Sequence, residues 1–290
     1  MPQPPKLRVS PPKAPRQTAR APRLRLSPIR GSQSLQLDER RVRPRGESYL
    51  LPGPPFQPWG EFVRWFSELW EAGEHVALVG MTGSGKTVLA RHLIELRDFV
   101  VVFGTKARDE SLYDPLQRAG FVVKRKWTPW EWEQTRERFV IFAPELELSD
   151  DPGPRETLQA QAKQSEAFRA ALVQIFKAGG WCCYFDEVRY LADDLNLSRE
   201  LNLLWLQGRS LGVTMVAATQ RPRAVPLNTF EQAVWTFLFR VSDRDDRRRA
   251  SEYMGGLAPI IFDTAGALPR HEFVCVNGVD DLAVRSKVRL

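Results

Sequence analysis

The sequence predicts an α/β fold, a mainly parallel central sheet flanked by helices and preceded by a disordered N-terminal tail. Three observations predict it. Short apolar runs alternate with segments of helical period from residue 75 onward. Those runs are apolar at nearly every position, as strands buried on both faces are. One of them ends in Gly80-Met-Thr-Gly-Ser-Gly-Lys-Thr87 and passes at once into helical periodicity.

Residues 1–55 are rich in Pro and Arg and poor in large apolar side chains. Such a segment cannot bury enough surface to offset its ordering entropy, so it reads as a disordered tail, with one folded domain over 56–290. Residues 1–46 hold twelve Lys/Arg against Asp38 and Glu39, a charge of +10 in a chain of net +7, so the rest carries −3. The basic character therefore belongs to the tail. The tail reads either as a solubilising or targeting segment or as a polybasic arm for nucleic acid or an acidic partner.

Order is expected to begin near Pro58. Trp59, Phe62, Val63, Phe66, Leu69 and Trp70 recur at helical spacing with charged residues between them, and Gly73 stops the helix. Strands are expected at His75–Val79, Phe99–Phe103, Phe121–Val123, Phe139–Phe142, Trp181–Phe185, Val213–Ala218, Val234–Val241 and Phe273–Val276. Helices are expected at Lys86–Leu96, Leu158–Ala178 and Arg199–Leu211, and a charged helix after Val241. The segment Lys124–Trp132 places basic residues before Trp127, Trp130 and Trp132; packing on the sheet edge is the favoured reading over contact with nucleic acid.

Several classes fall away. No apolar run approaches the ~20 residues of a membrane span. Cys182, Cys183 and Cys275, and His75, His92 and His271, have no metal-ligand spacing, and no Ser-His-Asp or Cys-His constellation is visible. The cysteines read as reduced, buried thiols of a cytoplasmic-type protein.

The glycine loop carries the chemistry. Gly80, Gly83 and Gly85 permit conformations a Cβ forbids and let backbone amides approach an anion closely. Met81, Thr82 and Ser84 complete the cradle for the phosphates of ATP. Lys86 is expected to reach the β- and γ-phosphates, and Thr87 to offer its hydroxyl to Mg²⁺. Trp181-Cys-Cys-Tyr-Phe-Asp186-Glu187 is an apolar strand ending in two carboxylates, and strand C-termini face the ligand crevice of a parallel sheet. Asp186 suits the Mg²⁺ shell, and Glu187 suits polarising a water for attack on the γ-phosphate.

A third element, Gln207-Gly-Arg209-Ser-Leu-Gly-Val, leads into a strand tipped by Ala218-Thr-Gln220-Arg-Pro. Together with the loop, the Phe-Asp-Glu strand end and Phe239-Arg-Val-Ser-Asp, this ordered set resembles the FtsK/HerA-type P-loop ATPases over about residues 75–255. The small size resembles the genome-packaging ATPases of tailless, internal-membrane DNA viruses and phages; Val100-Val-Val-Phe-Gly-Thr-Lys106 suits that reading. The resemblance implies a P-loop NTPase fold of the RecA/ASCE type, Mg-dependent ATP hydrolysis coupled to translocation of double-stranded DNA, and a homo-oligomeric ring, a hexamer in that family. It implies that Gln220 senses the γ-phosphate or lytic water; Arg209, on the helix before that strand, reads either as a finger in a neighbouring subunit's site or as a surface arginine. Arg244, Arg247 and Arg248 read either as further interface residues or, beside Asp243, Asp245 and Asp246, as part of a solvated charged helix. A capsid or membrane-vertex partner for the tail, and a host-cytoplasmic or virion-associated location, follow from the same likeness. The alternative is a protein-directed ATPase of a secretion or filament-assembly system.

Overall fold

The computed structural model describes residues 53–290 apart from 107–108, 128–137, 147, 150 and 226–227. The expected tail lies outside the described residues up to position 52, as do Trp130 and Trp132.

In chain order the elements are α1 (Trp59–Leu69), β1 (His75–Val79), α2 (Lys86–Ile94), β2 (Val100–Phe103), α3 (Glu110–Arg118), β3 (Val122–Lys124), β4 (Phe139–Phe142), α4 (Pro154–Ala178) and β5 (Cys182–Phe185). There follow α5 (Ser198–Gln207), β6 (Thr214–Thr219), α6 (Asn228–Glu231), β7 (Ala233–Phe239), α7 (Arg244–Ser251), α8 (Ala258–Ala267), β8 (Glu272–Asn277) and β9 (Leu282–Lys287). The strands form one nine-stranded sheet in the order β3-β4-β2-β5-β6-β1-β7-β8-β9. The first seven are mutually parallel, and β8 and β9 extend the sheet as an antiparallel hairpin.

Period-two alternation sorts side chains onto two faces. Val76 and Leu78 of β1, and Cys182 and Tyr184 of β5, join a core with Phe62 and Phe66 of α1, Leu89 and Leu93 of α2, and Leu112 and Leu116 of α3. Ala77, Val79, Cys183 and Phe185 face the opposite core, filled by α4, α5 and α8 through Phe168, Leu172, Leu204, Trp205 and Ile261. Phe62 and Phe66 are fully buried, and both meet the Phe237 ring edge-on, at 6.1 and 5.3 Å between centroids. Truncating either to Ala would cost about 3–5 kcal/mol in transfer and cavity energy.

The expected strands are present, with ends shifted by one or two residues. The helix expected at Arg199–Leu211 ends at Gln207, and a 3₁₀ turn covers Gly208–Leu211. Four of these elements were not expected from the sequence: α3, the four-residue α6, α8 and β9. α3 carries Pro115 inside it, where proline disfavours a helix, but it is only nine residues long and Asp109 caps it by accepting from the Leu112 amide. α8 is too uniformly apolar to display an amphipathic period, and β9 mixes Arg285, Ser286 and Lys287 with its apolar residues. The β8–β9 turn is nonetheless built from turn chemistry, since Asn277 Oδ1 accepts from the amides of Val279 and Asp280 at 2.9 and 3.1 Å. Pro54–Gln57 run beside β9: the amide and Nε of Arg285 donate to the carbonyls of Pro55 and Pro54, and Gln57 N donates to Arg285 O.

Trp127 packs as the edge reading anticipated. Its ring meets Phe142 edge-on at 5.1 Å, and its indole N–H donates to Gln174 at 2.7 Å. The three cysteines are buried and unpaired. Among the described residues no helix is long and apolar enough to cross a membrane.

Candidate nucleotide site

The sheet order places β6 between β1 and β5, so the segments leaving the C-terminal ends of these three strands lie side by side. In register, Val79 is paired with Thr219, and the Gly80 amide donates to the Thr219 carbonyl at 3.2 Å. Gln220 thus follows directly beside the start of the phosphate loop. Its side-chain oxygen accepts from the Thr82 hydroxyl at 2.7 Å.

The loop has the shape its glycines were expected to allow. Gly83 and Gly85 have φ of 71° and 110°, and a Cβ on Gly85 would stand 2.9 Å from Val288 Cγ1. Gly85 is also the residue preceding α2, whose first turn therefore opens toward the loop. Lys86 is buried, and its ammonium donates to the carbonyls of Gly80 and Met81 at 2.7 and 3.0 Å. Burial pushes its pKa down, and the nearby Asp186 and Glu187 oppose that shift.

On the β5 side the Thr87 hydroxyl donates to Asp186 Oδ1 at 3.1 Å, and the Tyr184 hydroxyl donates to the same oxygen at 2.6 Å. Glu187 is half-buried, and its pKa is raised by burial first and by Asp186 second, with Lys86 pulling the other way. A cleft of about 310 Å³ opens along the other side of the loop, between Met81–Ser84 and Phe239, Arg240, Arg270 and His271.

These residues fit a polyphosphate and its metal. Left-handed glycines leave room for close approach, and the buried Ser84 hydroxyl has no hydrogen-bond partner among the described residues. Thr87 and Asp186 offer the hard oxygen donors that Mg²⁺ takes.

No family model and no curated protein sequence matches the chain. Among solved structures it is similar to the genome packaging NTPase B204 from Sulfolobus turreted icosahedral virus 2 in complex with AMP, with TM-score 0.51 and 13% identity over 76% of this chain and 100% of that one. It is also similar to the bacterial conjugative coupling protein TrwBdeltaN70 in complex with sulphate, with TM-score 0.53 and 10% identity over 83% and 95%. This chain has the P-loop NTPase fold.

Within that fold Lys86, Thr87, Asp186, Glu187 and Gln220 gather at one end of the sheet, as their motifs implied. Arg209 does not join them. It is exposed on the 3₁₀ turn before β6, where its carbonyl lies against Gly73, just ahead of β1. The five steps of β6 put it about 17 Å or more from the Gln220 end, so Arg209 has no part in this chain's own phosphate site. The charged helix α7 is largely occupied with local contacts. Asp243 caps it by accepting from Asp246 N, Arg223 pairs with Asp243, Asp245 and Asp246, and Arg247 lies over the Phe262 ring at 4.8 Å, while Arg244 and Arg248 are exposed.

Two residues of this P-loop site were given no role from the sequence: Tyr184, and Lys106, named only as the end of the segment Val100–Lys106. Tyr184 stands two residues before Asp186, and the strand's period of two puts both on one side. Lys106 follows β2, the neighbour of β5, and its ammonium lies 2.8 Å from Asp109 and 4.0 Å from Asp186. The signal for Lys106 was its place just past a strand C-terminus.

Proposed function

We propose that this chain is a Mg²⁺-dependent ATPase that moves double-stranded DNA, working as a ring in genome packaging or a related DNA transfer. The observation that carries the ATPase reading is the convergence of Lys86, Thr87, Asp186, Glu187 and Gln220 at the C-terminal ends of β1, β5 and β6. The DNA reading is supported by the ordered motif set and by the likeness in fold to a genome packaging NTPase and a conjugative coupling protein.

In this reading the loop amides and the start of α2 hold the β-phosphate, and the cleft beside Arg240 and His271 receives the rest of the nucleotide. Lys86 leaves the carbonyls of Gly80 and Met81 and turns to the β- and γ-phosphate oxygens. Thr87 and Asp186 would hold Mg²⁺, which when bound would neutralise developing charge on the phosphates. Glu187, whose proton affinity is raised by burial, orients the attacking water and takes its proton. Gln220, tied to the loop through Thr82, reports the state of the γ-phosphate to the segment after β6. Arg209, remote from its own site, would in this reading serve a neighbouring subunit in the ring.

The test is ATP turnover by the full chain with and without double-stranded DNA, across a salt series, beside Lys86→Ala and Glu187→Gln. A DNA motor turns over faster with DNA, loses that stimulation as salt rises and is silenced in both variants. Mixing Arg209→Ala with Glu187→Gln subunits tests the finger, because activity then returns only at sites pairing an intact glutamate with a neighbour's intact arginine. Turnover that depends on Lys86 but ignores DNA at every salt concentration points instead to a protein-directed ATPase.

A further inference from the structure

We propose that Lys106 is a second lysine of the nucleotide site, a γ-phosphate ligand supplied by the segment after β2 and held beside Asp186 until nucleotide arrives. The inference rests on the ATPase reading above and extends it to a residue outside the phosphate loop and the two acidic and polar strand ends.

The segment that carries Lys106 is fixed from several sides. The Tyr113 hydroxyl donates to the Lys106 carbonyl at 2.7 Å, and the Gln164 amide lies 3.4 Å from the Thr105 carbonyl. Gly104 is needed for this, because a Cβ there would collide with the Tyr113 hydroxyl and stand 2.9 Å from Ala143 Cβ. The Tyr113 phenol is pushed up to about 12, by burial first, and therefore stays a donor. The backbone is thus built to deliver one side chain to the mouth of the site.

The side chain is placed but not enclosed. Lys106 is 62% exposed, and its ammonium bonds Asp109 at 2.8 Å while standing 4.0 Å from Asp186. Asp109 in turn is held by the Ser111 hydroxyl at 2.6 Å and the Leu112 amide at 3.2 Å, so it is a fixed anchor at the start of α3. Lys86 and Lys106 approach the acidic strand end from different strands. Lys86 comes from the loop after β1 and Lys106 from the segment after β2, which flanks β5 on the side away from β6 and β1.

Charge decides what happens when the site fills. A divalent cation at Asp186 would repel an ammonium 4.0 Å away, while the terminal phosphate brings negative charge to the same crevice. The lysine stem is flexible and carries three donors, so the ammonium exchanges Asp186 for a γ-phosphate oxygen without moving the backbone. A diphosphate offers no such partner. Lys106 therefore discriminates triphosphate from diphosphate, whereas Lys86 reaches both.

The experiment is equilibrium binding of ADP and of a non-hydrolysable ATP analogue to the full chain, Lys106→Met, Lys106→Arg and Lys86→Ala, each with Mg²⁺ and with EDTA. Circular dichroism confirms the fold of each variant. In Lys106→Met the analogue is expected to bind roughly tenfold or more weakly, the loss of one charge-assisted contact, while ADP affinity changes less than about twofold. Lys106→Arg keeps part of the preference, and Lys86→Ala weakens both ligands. Equal weakening of ADP and analogue in Lys106→Met, or no change in either, overturns the proposal and leaves Lys106 as the ion-pair partner of Asp109. If wild type binds neither nucleotide, or Lys86→Ala changes nothing, the ATPase reading itself fails and takes this inference with it.

Discussion

The Thr87 hydroxyl donates to Asp186 Oδ1 at 3.1 Å across 99 residues of sequence, joining the phosphate loop to the acidic strand end. Tyr184 donates to the same oxygen at 2.6 Å from a fully buried position, so the carboxylate's orientation is set by a core residue. Tyr184→Phe removes that donor and little else. The expected result is a stability loss of about 1–2 kcal/mol and about tenfold weaker Mn²⁺ binding to the nucleotide-bound protein, read by urea denaturation and by Mn²⁺ titration followed by electron paramagnetic resonance.

Glu187 sits between Asp186, which raises its pKa after burial does, and Lys86, which lowers it. Glu187→Gln keeps the side chain's size and removes the proposed base. Turnover should fall about 10²–10⁴-fold, while affinity for ATP is unchanged or slightly higher because a buried negative charge near the phosphates is gone. A parallel fall in affinity would place Glu187 in nucleotide binding instead.

Gln220 and Thr82 bridge the strand end and the loop at 2.7 Å in an exposed position. An exposed hydrogen bond contributes little to stability, so Gln220→Ala should leave the melting temperature within a degree or two, about 0.5 kcal/mol. The expected defect lies in kcat rather than KM, since the sensor role proposed for Gln220 matters once the γ-phosphate bond is being broken.

Gly85 combines a φ of 110° with a close neighbour in Val288 Cγ1. Gly85→Ala must therefore both strain the backbone and displace the chain after β9. Loss of nucleotide binding is expected together with about 1–3 kcal/mol of destabilisation, measured by calorimetry and thermal melting. Gly83→Ala should be milder, because nothing lies within 4 Å of where its methyl group would stand.

His75 gives a pH dependence. Its Nδ1 accepts from the Met215 amide at 3.1 Å, so Nε2 carries the proton and donates to the Trp205 carbonyl at 3.1 Å. Burial pushes the pKa from 6.5 down to about 4, partly opposed by that carbonyl and reinforced by Arg209. The fold therefore favours the neutral ring. The stabilisation is complete above about pH 6.5 and is lost as pH falls toward 4, by up to about 3 kcal/mol. Urea denaturation at steps from pH 7 to 4 should show that slope, and His75→Asn should flatten it while lowering stability at pH 7.

Much of this was legible in the sequence because it is local. The loop needs three glycines, a lysine and a threonine at fixed spacing. Asp186 and Glu187 advertise themselves as charges that end an apolar strand. The parallel strands read clearly because burial on both faces makes them continuous apolar runs. β9 and α8 were not legible: one takes its strand character from pairing with β8, and the other has too few polar residues to show an amphipathic period.

Sequence alone thus determined the phosphate loop, the acidic strand end and the α/β class, since each depends on residue type and near-neighbour spacing. Tertiary structure decided who meets whom. It brought Gln220 to Thr82, Tyr184 and Thr87 to one carboxylate oxygen and Lys106 to Asp186, and it carried Arg209 to the far end of the sheet. Those relations follow from strand order and register, which arise from packing two helical layers on one sheet and leave no mark at any fixed spacing in the chain.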